Sequence, residues 1–225
     1  MNPAEWLIRA ARKTPEAPAI LTGSRVEADY AAFAGAAAAV AGGLAARGVK
    51  PGDRVAVFMK NRAEYLPALY GIWIAGAVAT PINAKLHPRE AAWIVEDAGA
   101  ALTFVCPDLA ADPPGPSITV GGPAWRELIA HAPMPPAAMT GAAPVWLFYT
   151  SGTTGRPKGV VITAANIMAM TLGYFVDVDE VTPDDAILYA APMSHGAGLY
   201  NFMHVLRGAR HVIAPSGGFD AEEGL

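Results

Sequence analysis

The chain has 225 residues, 53% of them hydrophobic, a net charge of −4 and one cysteine, Cys106. That length and apolar content give one large domain or two small ones with a sizeable core. The acidic balance and the lack of a basic run exclude a nucleic-acid binder, and a single cysteine excludes an internal disulfide and fits a reducing cytoplasm.

Residues 1–13 are no signal peptide, because no apolar segment follows a basic one. Trp6, Leu7 and Ala10 instead mark one side of a short amphipathic helix. Asp29 is an N-cap for a helix over 30–47, with Phe33, Ala37, Val40 and Leu44 on one face and Gly48 as its stop. A turn at Pro51-Gly52-Asp53 leads to a buried strand at 55–59. Asn61 then reads as the cap of a second helix striped by Leu66, Leu69, Tyr70, Trp73 and Ala77.

A strand at 78–82, a helix from Pro88 to Asp97 ending at Gly99, and a strand at 101–105 follow. The uncharged stretches 65–84 and 132–155 are long enough to span a bilayer, but prolines and glycines break both, so no membrane span is expected. A short strand at 117–120, a helix at 123–130 and a proline-rich linker at 133–144 deliver the chain to an apolar strand at 145–148.

After residue 163 the pattern resumes. Thr163 caps a helix through Gly173, and Asp177, Asp179, Glu180, Asp184 and Asp185 form a solvated loop lacking the glycine and terminal glutamate of a calcium site. Strands at 186–190 and 210–213 flank a helix at 199–206, and residues 219–225 resemble the first turn of another helix. Alternating strands and helices predict an α/β fold with mostly parallel, helix-covered sheets.

Tyr149 to Val160, Y-T-S-G-T-T-G-R-P-K-G-V, carries the chemistry. Three glycines (Gly152, Gly155, Gly159), four hydroxyl side chains (Thr150, Ser151, Thr153, Thr154) and Lys158 sit between two strand-like runs. Glycines allow close backbone approach, successive N–H groups form an anion-binding hollow, and lysine adds a point charge suited to phosphate. This is not the G-x-x-x-x-G-K-[ST] loop, since Lys158 is followed by Gly159 and β-branched residues rather than a helix. The plain alternative is a glycine- and threonine-rich surface turn.

The stretch resembles the phosphate loop of the AMP-forming adenylating enzymes: acyl-CoA synthetases, luciferases and peptide-synthetase adenylation domains. The resemblance implies that Thr150, Ser151, Gly152, Thr153, Thr154, Gly155 and Lys158 hold the β- and γ-phosphates of ATP while a carboxylate attacks the α-phosphate. Residues 47–55 and 76–83 resemble two earlier blocks of the family, and Asn83 with its surroundings is closer to the CoA ligases. Pro192 to Gly198 resembles a further motif, which makes His195 and Gly196 candidates for the acyl pocket. The family often places an aromatic residue before that histidine, where this chain has Ser194.

His204 and His211 read as structural or exposed. No zinc motif is present, and neither Ser151 nor Ser194 has an identifiable base.

By this resemblance the chain is the N-terminal portion of the adenylate-forming fold, with the C-terminal domain and its catalytic lysine absent. Residues 63–178 are expected to form a first sheet with the loop. Residues 1–62 and 179–225 are expected to form part of a second, incomplete sheet, with strands near 54–59, 186–190 and 210–213 together.

The implied activity is ATP-dependent activation of a fatty or aryl acid to acyl-adenylate and then acyl-CoA. Lys158 and His195 are its candidate catalytic residues, ATP, Mg²⁺ and CoA the co-reactants, and a small carboxylic acid the partner. The alternatives are a non-catalytic nucleotide-binding fragment and a peptide-synthetase or luciferase-like domain. An incomplete sheet exposes an apolar edge, which leaves a homodimer as one outcome for the isolated chain.

Overall fold

A computed structural model describes residues 1–150, 157–218 and 220. In chain order the elements are α1 (Glu5–Lys13), β1 (Pro18–Thr22), β2 (Arg25–Asp29), α2 (Tyr30–Ala46), β3 (Arg54–Met59), α3 (Tyr65–Ile74), β4 (Val78–Asn83), α4 (Pro88–Ala98), β5 (Ala100–Val105), β6 (Ser117–Thr119), α5 (Pro123–Ile129), β7 (Pro144–Thr150), β8 (Lys158–Thr163), α6 (Ala164–Asp177), β9 (Ala186–Tyr189), α7 (Gly196–Leu199), α8 (Asn201–Arg207) and β10 (Arg210–Ile213).

Two sheets result. The larger has the order β6-β5-β3-β4-β7-β8, parallel except for the antiparallel β7–β8 hairpin. The smaller runs β2-β1-β10-β9, parallel except for β1–β2.

The side chains of β3 explain its central place in the larger sheet. Val55, Val57 and Met59 join the main core, whereas Ala56 and Phe58 face a second cluster with Ile82, Ala91, Ile94 and Val95 under α4. Alternate residues of a strand point to opposite faces, so β3 needs cover on both.

This corrects the expectation that 54–59 shares a sheet with 186–190 and 210–213. Its short βαβ link through α3 pairs it with β4, and β1 takes the place beside β10.

Every residue of α3 is buried. A helix that is apolar all round must be covered on all sides. Here an aromatic cluster supplies part of that cover. Tyr70 and Trp73 meet edge-on with centroids 5.0 Å apart, and Trp73 lies 5.0 Å from Phe202 of α8, which in turn meets Trp6 of α1 at 6.0 Å. Trp73 Nε1 donates to Val145 O (2.8 Å), pinning β7 to this helix.

The predicted caps hold at Asp29, which accepts from Ala32 N, and at Thr163, which accepts from Asn166 N, although α6 runs on to Asp177. The expected helix at 199–206 divides into α7 and α8. Residues 219 and 221–225, where a further first turn was expected, lie outside the described residues.

His211 is fully buried on β10. Its Nδ1 shares a hydrogen bond with Tyr189 OH (2.9 Å), and Nε2 has no hydrogen-bond partner among the described residues. Burial, with the neighbouring His204, lowers its pKa from 6.5 to about 3. Between those two pH values the unfolded chain binds the extra proton, so stability falls as pH drops. His204, lowered mainly by burial, adds in the same direction. Urea unfolding should show a loss of about 2 kcal/mol from His211 on moving from about pH 7.5 to about pH 5. His211→Phe should flatten the dependence; equal stability at both pH values in the native sequence would contradict this account of His211.

Candidate functional site

The β7–β8 hairpin sets Thr150 opposite Lys158 and Tyr149 opposite Gly159. Thr150 and Lys158 are exposed, and Lys158 makes no ion pair among the described residues. A solvent-facing cation at a hairpin mouth has the chemistry of a phosphate contact. Ser151, Gly152, Thr153, Thr154 and Gly155 lie outside the described residues.

The segment after β9 carries the second candidate. Asn61, just past the end of β3, is buried and donates through Nδ2 to Tyr189 O (3.1 Å) and Ala191 O (2.9 Å). Its Oδ1 accepts from Met193 N (2.8 Å). Asn61 is therefore not the cap of α3, whose N-cap residue, Glu64, makes no side-chain cap hydrogen bond. It joins the end of the larger sheet to the segment leaving the smaller one.

The other side of that turn is held from α3. Tyr70 OH donates to Asn201 Oδ1 (2.7 Å), and Asn201 Nδ2 donates to Gly198 O (2.6 Å). A Cβ on Gly198 would stand 1.8 Å from Met193 O, so only glycine closes the turn.

His195 sits within this braced turn, half-buried. Its Nδ1 shares a hydrogen bond with Ser194 Oγ (3.0 Å). Its ring meets Phe148 edge-on, with centroids 5.6 Å apart and planes at 84°. Phe148 lies on β7, two residues before Thr150, so the His195 turn packs against the strand that leads to Thr150. Ser194 is buried, and the aromatic neighbour that position 194 does not supply comes from β7.

Gly196 opens α7 and lines an apolar cavity of about 300 Å³ with Met170, Tyr174, Leu199, Tyr200 and Met203. Tyr174 and Tyr200 meet edge-on at 5.7 Å.

The remaining candidates are structural. His211 is part of the core, and His204 shares a hydrogen bond with Tyr200 O through Nδ1 (2.8 Å). Cys106 is a buried free thiol. In the acidic loop Asp185 accepts from Thr182 N (2.7 Å) and Oγ1 (2.9 Å), closing a turn, and these hydrogen bonds hold its carboxyl below the usual carboxylate range. No group of three or more His, Cys, Asp or Glu among the described residues fits a metal ion. No helix among them is long and apolar enough to cross a membrane.

The model for the family described as AMP-binding enzyme matches residues 7–223. The chain belongs to that family. It is 38% identical over 199 residues to a feruloyl-CoA synthase of Amycolatopsis sp, covering 86% of this chain and 40% of the relative. It is 33% identical over 232 residues to the long-chain-fatty-acid–CoA ligase FadD13 of Mycobacterium tuberculosis, covering 96% and 45%.

Among solved structures, an inhibitor-bound N-terminal domain of FACL13 from Mycobacterium tuberculosis superposes with a TM-score of 0.87 at 30% identity, covering 99% of this chain and 59% of that one. An O-succinylbenzoate coenzyme A synthetase from Bacillus subtilis, in complex with ATP and magnesium ion, gives 0.83 at 26%, covering 97% and 59%. The chain thus spans roughly two fifths of the length of the curated relatives it matches. Within this AMP-binding family the two-sheet arrangement is that of the N-terminal domains.

Sequence reasoning missed Asn61 and Phe148 as site residues. An asparagine ahead of a helix has the signal of a cap, and its three backbone partners lie in a segment far along the chain. Replacing Asn61 by alanine leaves two carbonyls and one N–H without their partner. It should lower unfolding stability by about 3 kcal/mol in urea denaturation. A loss within about 0.5 kcal/mol, the range of an ordinary surface change, would show that Asn61 does not brace this turn.

Proposed function

We propose that this chain is the phosphate-holding and acyl-side part of an ATP-dependent acid–CoA ligase. In that reaction a carboxylate attacks the α-phosphate of ATP to give acyl-adenylate and pyrophosphate. The CoA thiolate then attacks the acyl carbon, forming the thioester and releasing AMP. The observation that carries the reading is the packing of His195 against the strand that ends in Thr150, opposite Lys158. Anion-holding and acyl-side elements converge there, within a family whose relatives here are acyl- and aryl-CoA ligases.

The chemical obstacle is charge, because an anionic carboxylate must reach an anionic phosphate. Donors held ready for the leaving pyrophosphate lower that barrier. We assign this role to Lys158, Thr150 and, by family resemblance, the N–H groups and hydroxyls of residues 151–155. Mg²⁺ adds positive charge at the phosphate oxygens when bound. His195, with its ring fixed by Ser194 and Phe148, borders the acyl group. The apolar cavity beside Gly196 suits the hydrocarbon or aromatic portion of a fatty or aryl acid. A cytoplasmic setting suits the free, buried Cys106.

Carboxylate-dependent ATP–pyrophosphate exchange, run with short, long and aromatic acids, tests the reading. In a protein that supports exchange, Lys158→Ala should cost roughly 1.5–3 kcal/mol of transition-state stabilisation, or on the order of ten- to a hundredfold in rate. Unchanged exchange would remove Lys158 from the mechanism.

The span of the relatives supports a second reading for the 225 residues alone, a nucleotide-binding portion without turnover. That reading expects no exchange, with ATP still protecting the chain from proteolysis in a Lys158-dependent way.

The apolar surface bears on the state of the isolated chain. Val160 and Val161 on β8 are 49% and 53% exposed, and Val176 and Val178 at the end of α6 are 80% and 68% exposed. Strand β8 is also an edge of its sheet. Light scattering should find self-association that weakens when Val161 and Val176 are replaced by lysine. A monomer at all concentrations, with sharp cooperative unfolding, would contradict it.

A further inference from the structure

The far end of the β7–β8 hairpin is held by side chains rather than by strand pairing. The register between β4 and β7 is confined to Ala79 opposite Trp146, so the hairpin continues to Thr150 and Lys158 beyond it. Among the described residues β8 is the last strand of its sheet, with no strand paired on its outer side. Phe148 faces His195, and the next residue, Tyr149, points to the opposite face, towards α4.

On that face the contact is specific. The Tyr149 ring meets Trp93 edge-on, with centroids 6.2 Å apart and planes at 89°. Its hydroxyl donates to Asp97 Oδ2 at 2.6 Å. Trp93 and Asp97 are four residues apart on α4 and so share one helix face. Gly159, opposite Tyr149 and adjacent to Lys158, leaves room for the phenol. A Cβ there would come within 3.3 Å of Tyr149 Cζ and 3.1 Å of Leu147 Cδ1. Burial, followed by the hydrogen bond to Asp97 and its charge, raises the phenol's pKa above the ordinary tyrosine range, so Tyr149 stays a donor at working pH.

We propose that the Tyr149–Asp97 tether is a positioning device for Lys158. It locks the projecting end of the hairpin against α4, so that Thr150 and Lys158 meet a polyphosphate in one geometry. The inference rests on the phosphate-holding reading of the hairpin and adds to it a residue pair that touches no phosphate. Without the tether the edge strand would sample several pitches, and the lysine would contact the ligand in only a fraction of them.

Calorimetric titration of the 225-residue chain with Mg·ATP and with inorganic pyrophosphate tests it, each variant being checked for an unchanged folded fraction by urea unfolding. Tyr149→Phe and Asp97→Ala should each weaken binding about fivefold, and the double variant no further, because both remove one interaction. Asp97→Asn keeps an acceptor for the phenol and should recover most of the affinity, which a merely structural loss would not do.

Lys158→Ala separates the two levels of inference. If it abolishes binding while Tyr149→Phe and Asp97→Ala bind like the native sequence, the tether proposal is wrong and the phosphate reading stands. Additive losses in the double variant would also overturn the tether. If Lys158→Ala leaves binding unchanged, the phosphate reading fails and takes this inference with it.

Discussion

A helix with no polar face dictates this architecture. Every residue of α3 is buried, so water cannot complete any side of it, and the chain must surround it. The larger sheet covers one side, α2 lies alongside, and α8 brings Phe202 onto Trp73. The smaller sheet follows from the same demand. Its strand β10 ends the segment begun by α8, and Tyr30 of α2 donates to Ala209 O (2.6 Å) just before that strand. Two sheets in one chain are the consequence of covering one apolar cylinder.

The candidate functional elements lie where that packing meets the ends of the strands. β7 is pinned by Trp73 at its start and presents Phe148 and Tyr149 to opposite faces near its end. One face carries the turn with His195, and the other carries α4. Asn61 and the Tyr70–Asn201 pair hold the His195 turn from two directions. The candidate chemistry of this AMP-binding family member therefore uses few charged groups. The His195 turn is held by the neutral hydrogen bonds of Asn61 and Asn201 in the interior, where each unpaired polar atom is costly.

Much of this was legible in the sequence because it depends on local rules. Glycine and proline punctuation marks α2, α4 and their stops, and Asp29 and Thr163 announce their helices. The misreadings share a cause. β2 is exposed along much of its length, and its alternation is only five residues long with just Val26 and Ala28 apolar, so it gave a weak strand signal. β3 was assigned to the wrong sheet because strand partners are chosen by tertiary packing, not by the strand's own residues. Asn61 looked like a cap because its identity and position fit one. Only the approach of residues 189–193 gives it a different set of partners.

The distance along the chain between Asn61 and those partners sets an order of events. Its bonds to Tyr189 and Ala191 close loops of 128 and 130 residues. Contacts of such separation form late, because the entropy of closing the loop must be met before they return any stability. The β3–α3–β4 unit can assemble from neighbours as soon as it is made, but the His195 turn cannot settle until β9 has emerged and docked. During synthesis, then, this protein can build its larger sheet before the His195 turn, and the nascent chain spends that interval with Asn61 still hydrated.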